Sequence, residues 1–157
     1  MSLNNELKEL LADVVAFSFK AQGYHWNVEG DDFPQFHSFF GAIYEDVEDS
    51  IDPIAENIRK IGDYAPFRLT RFVELTKIPE TSVSSDHEDM TMDLYMSNKI
   101  VIAKLYSAFN AATSENKQGV ADYLAGRIDA HEKWDWQLRV TSKPEVESET
   151  ESETESD

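Results

Sequence analysis

The chain contains no cysteine among its 157 residues, which excludes disulfide bridges and thiolate metal sites. Glycine and proline are scarce, six and five residues, so long helices can run with few interruptions. No apolar run approaches the roughly 18 residues that a membrane-spanning helix needs, and the N-terminus shows no basic stretch followed by an apolar one. These absences predict one soluble, unsecreted domain, located in the cytoplasm and without membrane contact.

Basic residues are also few, with 14 Lys and Arg against 31 Asp and Glu, and a formal charge of −17. Such a polyanion repels the phosphates of DNA, so a nucleic-acid partner is disfavoured. The same charge attracts cations to any acidic opening of the protein. The acidity can equally serve solubility alone, and composition does not separate these two roles.

Apolar residues recur at helical spacing along most of the chain, and no segment alternates as a strand does. The pattern predicts four long helices with a short helix in the connection between the second and the third. Their expected limits are Asn5 to Tyr24, Pro34 to Ile61, Ser85 or Asp86 to Ala112, and Gln118 to Val140, with the short helix at Arg68 to Leu75. Pro53 should kink the second helix because it removes a backbone hydrogen bond. This order is an all-α, four-helix bundle with the ferritin-like connectivity.

The composition changes near the C-terminus, which sets the predicted domain limits at 1–143 for the bundle and 144–157 for a tail. From Glu145 onward acids alternate with Ser or Thr, including two copies of Ser-Glu-Thr-Glu, and only one side chain is apolar. Such a segment cannot bury enough surface to fold, so we expect a disordered acidic tail.

Four residues form a candidate metal site: His25 and His37, and the pair Asp52 and Glu56, which lie one helical turn apart. Two nitrogen and two oxygen ligands suit a transition metal such as iron. His37 and Asp52 are fifteen residues apart in the predicted second helix, and therefore about 22 Å apart along its axis. If the four residues form one site, two copies of the chain must build it, with the His end of one against the carboxylate end of the other.

Each candidate also has an ordinary structural interpretation. His25 can be a helix-end residue bonded to the backbone, His37 a satisfied residue among aromatic neighbours, and the two acids part of a solvated helix face. Other metal or catalytic motifs are absent from the sequence. It contains no Glu-x-x-His pair, no His-Glu-x-x-His, no glycine-rich phosphate loop and no nucleophile elbow. If this bundle handles metal, the site between subunits is the remaining one.

The segments around these candidates carry a family resemblance. They are Tyr24-His25-Trp26-Asn27-Val28-Glu29-Gly30, Phe33, His37, Ile51-Asp52-Pro53-Ile54-Ala55-Glu56, Ile58-Arg59 and Ile61-Gly62, with a weaker match at His131-Glu132-Lys133, Trp136 and Leu138-Arg139. In these residues the chain resembles the Dps family, small ferritin-like proteins that store iron and protect against peroxide. The resemblance spans most of residues 5–140.

The resemblance implies a hollow shell of twelve subunits, a dodecamer, with ferroxidase sites at its two-fold interfaces. His25 and His37 would come from one subunit, and Asp52 and Glu56 from its mate, with Glu56 bridging two irons. Trp26 matches a family tryptophan beside the site, an electron donor that limits radical escape. Fe(II) would be oxidised there by hydrogen peroxide in preference to oxygen, and stored as Fe(III) mineral.

One position departs from the family pattern. An Asp usually follows the second His by one turn, and here that position is Gly41. The loss implies one firm and one weak iron position per site, and slower oxidation. Glu45 and Asp46, one turn further along, are candidates to replace the missing carboxylate through water.

Two other family features bear on partners. Family members often carry a Lys-rich terminal arm for DNA, whereas this chain has only Lys8 near its start, so DNA binding is not expected. The family places acidic iron-entry pores near the start of the last helix, where Asp122 is the best-matched position and Glu115 a weaker one.

Two alternatives remain to the ferroxidase shell. The first is a shell-forming structural or binding protein whose ferroxidase activity is weakened or lost, as Gly41 would favour. The second is a helical adaptor whose acidic tail recruits a basic partner. Retention of all four proposed ligands favours the ferroxidase.

Overall fold

The computed structural model describes residues 1–82 and 84–142, and this part of the chain forms six helices and no β-strand. The helices are α1 (Leu3–Asn27), α2 (Phe33–Asp49), α3 (Ile51–Lys60), α4 (Leu69–Leu75), α5 (His87–Ser114) and α6 (Gln118–Thr141). Helices α1, α2 with α3, α5 and α6 form a four-helix bundle, and α4 lies in the crossover between α3 and α5. The predicted all-α, ferritin-like architecture with a short crossover helix is confirmed.

Helix α1 lies at the centre of the packing, in contact with α2, α3, α4 and α5, while α5 also packs on α6. Its inward residues follow each other at intervals of three or four, which places them on one side of the helix. They are Leu7, Leu10, Val14, Phe17 and Ala21, all of them buried. A large apolar side chain buried in this way contributes about 1.5–3 kcal/mol to stability.

The predicted second helix is divided at Ser50 into α2 and α3, so the expectation of one continuous helix was wrong. The cause is Pro53, which lacks an N–H and whose ring crowds the carbonyl of Asp49, four residues earlier. Ser50 adapts to the break, since its hydroxyl donates to the carbonyl of Val47 at 2.6 Å. The disturbance predicted from Pro53 therefore appears three residues before it, and Pro53 itself lies in the first turn of α3.

The start of α5 has one of the two expected capping residues, whereas both ends of α1 differ from the prediction. The Asp86 side chain accepts a hydrogen bond from the N–H of Glu88 at 3.2 Å and so caps α5, which settles the choice between Ser85 and Asp86. Ser2 caps α1, which begins two residues earlier than predicted and ends at Asn27. That later end places His25 within the last turn of the helix.

The predicted acidic tail lies outside the described residues, so its disorder stays a prediction. Within residues 1–82 and 84–142, no helix is both long enough and apolar enough to cross a membrane.

Candidate metal centre

The imidazole rings of His25 and His37 lie face to face. Their centroids are 3.8 Å apart and their planes differ by 15°. His25 is in the last turn of α1 and His37 in the second turn of α2, so the short connection between these helices brings the rings together. The structure thus pairs two residues that are twelve positions apart in the sequence.

Both rings are held by reciprocal hydrogen bonds to the backbone. Nδ1 of His25 lies 2.6 Å from the carbonyl oxygen of His37, and Nδ1 of His37 lies 2.7 Å from the carbonyl oxygen of His25. A carbonyl oxygen can only accept, so each Nδ1 must carry the proton. In the neutral ring Nε2 then keeps its lone pair, and a metal-binding histidine is commonly oriented in this way by a backbone carbonyl. The pair is therefore arranged to offer two Nε2 atoms as ligands.

Aromatic side chains border the ring pair. The ring of Phe33 stacks on His37 with centroids 5.0 Å apart, and the ring of Tyr44 lies 5.7 Å from that of His25. Both imidazoles are half-buried as a result. Trp26 follows His25 directly in the chain but has 66% of its surface exposed, so its indole is free to meet another molecule.

Gly41 is buried, one turn after His37, and borders the ring of His25. A Cβ atom built on Gly41 would lie 2.9 Å from both Cε1 and Nδ1 of that ring. The space next to the Cα of Gly41 is therefore occupied by His25. A residue with a side chain fits there only if the ring moves.

The two candidate carboxylates, Asp52 and Glu56, are exposed on α3, one turn apart on the same face. Within the described ranges of the single chain, neither carboxylate makes a side-chain hydrogen bond or an ion pair. They differ in this from Asp46 and Asp63, whose carboxylates are engaged by cations. Asp52 and Glu56 are therefore available to an external ligand or partner.

A single chain does not bring the nitrogens and the carboxylates together. Among residues 1–82 and 84–142, no group of three or more His, Asp or Glu is close enough to hold a metal ion. One chain alone thus presents two imidazoles at the junction of α1 and α2, and two carboxylates separately on α3.

Asp46, a candidate replacement for the missing family Asp, is already engaged. Its two oxygens each accept from Arg127 at 3.0 Å, and Oδ2 also accepts from the indole N–H of Trp134 at 2.7 Å. Burial favours the neutral acid, but the hydrogen bonds and charge of Arg127 outweigh it and hold the pKa of Asp46 below its usual range. Asp46 therefore anchors α2 to α6, and only Glu45, which is exposed, is left as a replacement.

The same network contains a histidine whose role the sequence reasoning missed. His131 is fully buried, with Nε2 3.3 Å from Arg127 and Nδ1 2.7 Å from the side-chain oxygen of Asn98. Burial and the neighbouring Arg127 lower the pKa of His131 to about 3, so the ring is neutral. The spacing of Arg127 and His131, one helical turn, was the available signal, but their shared partners lie on other helices.

The two pore candidates occupy different environments. Asp122 is exposed on the second turn of α6. Glu115 lies in the connection between α5 and α6, and its carboxylate accepts the backbone N–H of Leu3 at 2.7 Å. Glu115 thus satisfies a free N–H at the start of α1, a role that the sequence did not indicate. Participation of either residue in a pore stays a prediction.

Comparison with known proteins assigns the class to which this fold and site belong. The sequence matches the ferritin-like domain family over residues 4–142. A DNA protection during starvation protein of Helicobacter pylori is 29% identical over 133 residues, which are 84% of this chain and 92% of that protein. A low temperature-induced protein of Nostoc is 31% identical over 86% of this chain and 76% of its own length.

The solved structures agree with the sequence matches. The Dps protein of Vibrio cholerae O1, described as one of the ferritin-like diiron-carboxylate proteins, superposes with a TM-score of 0.87. It is 27% identical in sequence, and the match covers 90% of this chain and 89% of that one. The chain belongs to the Dps family of ferritin-like proteins, as its resemblance predicted. Membership in this family supports a role in iron storage.

Proposed function

We propose that this chain is the subunit of a hollow homo-oligomer, a dodecamer, that oxidises Fe(II) and stores the product as Fe(III) mineral. The observation that carries the proposal is the arrangement of His25 and His37. Their Nδ1 atoms are bound to backbone carbonyls, so both Nε2 lone pairs are free for a metal. Membership in the Dps family supports iron as the metal that this pair would bind.

The remaining ligands come from a second copy of the chain in this proposal. Asp52 and Glu56 are exposed, have no partner within the described part of their own chain, and project from one face of α3. Two carboxylates offset the double charge of Fe(II), and the two neutral imidazoles complete a mixed nitrogen and oxygen set that suits iron. Glu56 is the residue we assign to bridge two iron positions, the second of them weak because Gly41 provides no carboxylate.

Hydrogen peroxide is the oxidant we propose, in preference to oxygen. One peroxide accepts two electrons, one from each of two Fe(II) ions, and with two protons its O–O bond breaks to give two water molecules. When both electrons reach the same peroxide molecule, no radical is released. Trp26 lies next to His25 and is exposed, so its indole can supply an electron when only one iron is present.

Iron entry and exclusion of DNA complete the proposal. The acidic surface draws cations towards the shell, and Asp122, with Glu115 as the weaker candidate, lines the entry pores. The same negative charge keeps duplex DNA away.

The test compares Fe(II) oxidation by hydrogen peroxide in the wild type and in His25→Ala. We expect oxidation in the variant to fall to the rate in buffer, while the assembly, measured by light scattering, is kept. His87→Ala is the matched control, because this histidine stacks on Phe36 and has no part in the proposed site. Equal rates in the wild type and in His25→Ala would contradict the proposal.

A second function is favoured by Gly41, which lacks the carboxylate that the family usually has. In this alternative the chain forms the shell but no longer oxidises iron. Wild-type protein that assembles normally, yet oxidises Fe(II) no faster than buffer with either peroxide or oxygen, would establish it.

A further inference from the structure

Two aromatic residues flank His25 in the sequence, and the fold places them in opposite environments. Trp26 follows His25 and is exposed, whereas Tyr24 precedes it and has only 6% of its surface exposed. The Tyr24 ring packs against that of Phe40, with centroids 6.2 Å apart, and the His25 ring borders Gly41, the next residue of α2. Consecutive residues of α1 thus pack on consecutive residues of α2, so the phenol of Tyr24 lies close to the proposed iron site.

The hydroxyl group of Tyr24 donates a hydrogen bond to the carboxylate of Asp93 on α5. The same carboxylate oxygen lies 3.0 Å from the ammonium group of Lys20, which also donates to Ser97 at 3.0 Å. The hydroxyl of Thr81, in the crossover, lies 3.2 Å from this oxygen and 3.2 Å from the phenolic oxygen. The buried phenol therefore has a proton acceptor in direct contact, and other side chains fix the position of that acceptor.

A buried phenol with a bound carboxylate can lose an electron and a proton together. Loss of the electron alone would leave a cationic ring in apolar surroundings, which is costly. Transfer of the proton to Asp93 leaves a neutral tyrosyl radical instead. When Asp93 becomes neutral, Lys20 still has its hydrogen bond to Ser97.

We propose that Tyr24 supplies an electron to the proposed iron site when only one iron is present, and that Asp93 accepts its phenolic proton. This inference rests on the proposed function and adds a residue to it. Gly41 provides no carboxylate for the second iron, so a single Fe(II) per site is the expected state when iron is scarce. A radical on exposed Trp26 is within reach of solvent, whereas one on Tyr24 is enclosed.

One Fe(II) gives one electron to hydrogen peroxide, whose O–O bond breaks to give hydroxide and a hydroxyl radical. The electron from Tyr24 reduces this radical to a second hydroxide, and two protons from solvent convert both hydroxides to water. The phenolic O–H bond of Tyr24 breaks, and its proton moves to Asp93. The products are Fe(III), two water molecules, a tyrosyl radical and protonated Asp93, so no hydroxyl radical leaves the site.

The test is electron paramagnetic resonance of the assembled protein, loaded anaerobically with fewer Fe(II) ions than proposed sites. Every sample carries Trp26→Phe, so that the exposed indole does not compete as a donor. After hydrogen peroxide is added and the sample is frozen, we expect an organic radical signal that narrows when the protein contains ring-deuterated tyrosine. Tyr24→Phe keeps the buried ring and should abolish this signal, while light scattering shows an assembly of unchanged size.

Two other tyrosines provide matched controls. The hydroxyl of Tyr106 also donates to a carboxylate, that of Glu132, but Tyr106 is thirteen residues beyond Asp93 on α5 and hence about 20 Å away along the helix. The ring of Tyr44 lies 5.7 Å from that of His25, but within residues 1–82 and 84–142 its hydroxyl has no carboxylate partner. We expect both Tyr106→Phe and Tyr44→Phe to keep the radical signal.

Asp93→Asn separates proton transfer from a structural role. The amide oxygen can still accept the hydrogen bond from Tyr24, but the amide does not take up its proton, so the signal should be lost. A tyrosyl signal of wild-type size in Asp93→Asn or Tyr24→Phe, or its loss in either control, would overturn the proposal. If Asp93→Asn does not assemble, the comparison of Tyr24→Phe with the two controls decides alone.

The rate of Fe(II) oxidation in the same samples separates failure of this inference from failure of the proposed function. Oxidation faster than in buffer, but without a tyrosyl signal, would overturn the role of Tyr24 and leave the ferroxidase proposal intact. Oxidation no faster than in buffer would overturn both.

Discussion

His25 and His37 hold each other through the backbone, because the Nδ1 atom of each ring is bonded to the main-chain carbonyl of the other, at 2.6 and 2.7 Å. This reciprocal pair joins the end of α1 to the start of α2 before any metal is present. In the neutral form of both rings it selects the same tautomer, with the proton on Nδ1 and the lone pair on Nε2. A ligand pair arranged in advance costs less conformational entropy when it binds an ion.

The number of iron ions bound per subunit tests the consequence of Gly41 directly. Under anaerobic conditions we expect one Fe(II) to bind tightly for each proposed site and a second to bind weakly, because position 41 supplies no carboxylate. The measurement is equilibrium binding of Fe(II) to the assembled protein, with the His25→Ala variant as the control for binding elsewhere. Two equally tight ions per subunit would contradict the prediction.

Mixed assemblies test whether each site is shared between two chains. One parent carries His25→Ala with His37→Ala and the other carries Asp52→Ala with Glu56→Ala, so neither parent alone has a complete site. When the two are unfolded and reassembled together at equal amounts, about a quarter of the sites regain all four ligands, by random pairing across a two-fold axis.

The measurement for the mixed assemblies is Fe(II) oxidation with hydrogen peroxide, compared with each parent taken through the same procedure alone. Recovery towards about a quarter of the wild-type rate is expected from that random pairing. No recovery, in mixed assemblies whose size matches the wild type by light scattering, would show that the ligands do not come from two subunits.

Buried His131 makes stability depend on pH. Its pKa is lowered to about 3 in the folded protein, first by burial and then by Arg127, from an ordinary value of 6.5. Below pH 6.5, His131 takes up a proton in the unfolded chain but not in the folded one. The contribution of His131 to stability is therefore complete above pH 6.5 and is lost as the pH falls towards 3. The slope in this window is at most about 1.4 kcal/mol per pH unit.

The check is the free energy of unfolding between about pH 7.5 and pH 4.5, at one fixed subunit concentration because assembly also contributes to stability. His131→Gln keeps hydrogen-bonding capacity towards Asn98 but cannot be protonated, and should flatten the decline. The pKa of Asp46 is lowered, so its own contribution is lost only at more acidic pH, below about 4. An unchanged slope in His131→Gln would assign the pH dependence to other groups.

DNA binding should fail despite the family name that some relatives carry. The chain has a formal charge of −17 and only 14 basic residues, and an assembly multiplies that charge. The measurement is retardation of linear duplex DNA in a gel at about 0.15 M salt, where nonspecific contacts are strongly screened. A retarded band would refute the prediction.

Removal of residues 145–157 tests whether the acidic tail alone prevents DNA binding. This deletion should leave iron oxidation unchanged.

Several features of the fold could be predicted from the sequence because they depend on local patterns. The spacing of Leu7, Leu10 and Val14 predicted the inner face of α1, and Asp86 was one of two predicted caps for α5. The same pattern also included Phe19, which is wrong because 58% of its surface is exposed. The effect of Pro53 was also foreseen, since a proline removes a hydrogen bond in any helix. Its position was not, because the strain falls on the carbonyl four residues earlier and divides the helix at Ser50.

The side-chain contacts between helices could not be predicted from the sequence. No local pattern shows that Asp46 meets Arg127 and Trp134, which lie 81 and 88 positions away, or that Glu115 receives the N–H of Leu3. Such contacts depend on how the helices pack. The contacts of Asp46 with Arg127 and Trp134 exclude it as a replacement for the missing carboxylate.

Sequence by itself determined the helical class of this protein, its acidity and the types of residue available to a metal, because these follow from composition and from spacing along one chain. Only the tertiary structure decided which of those residues meet. It stacked His25 on His37 and placed Gly41 beside them. These contacts join residues of two different helices, so they depend on how the helices pack and not on the order of residues along the chain.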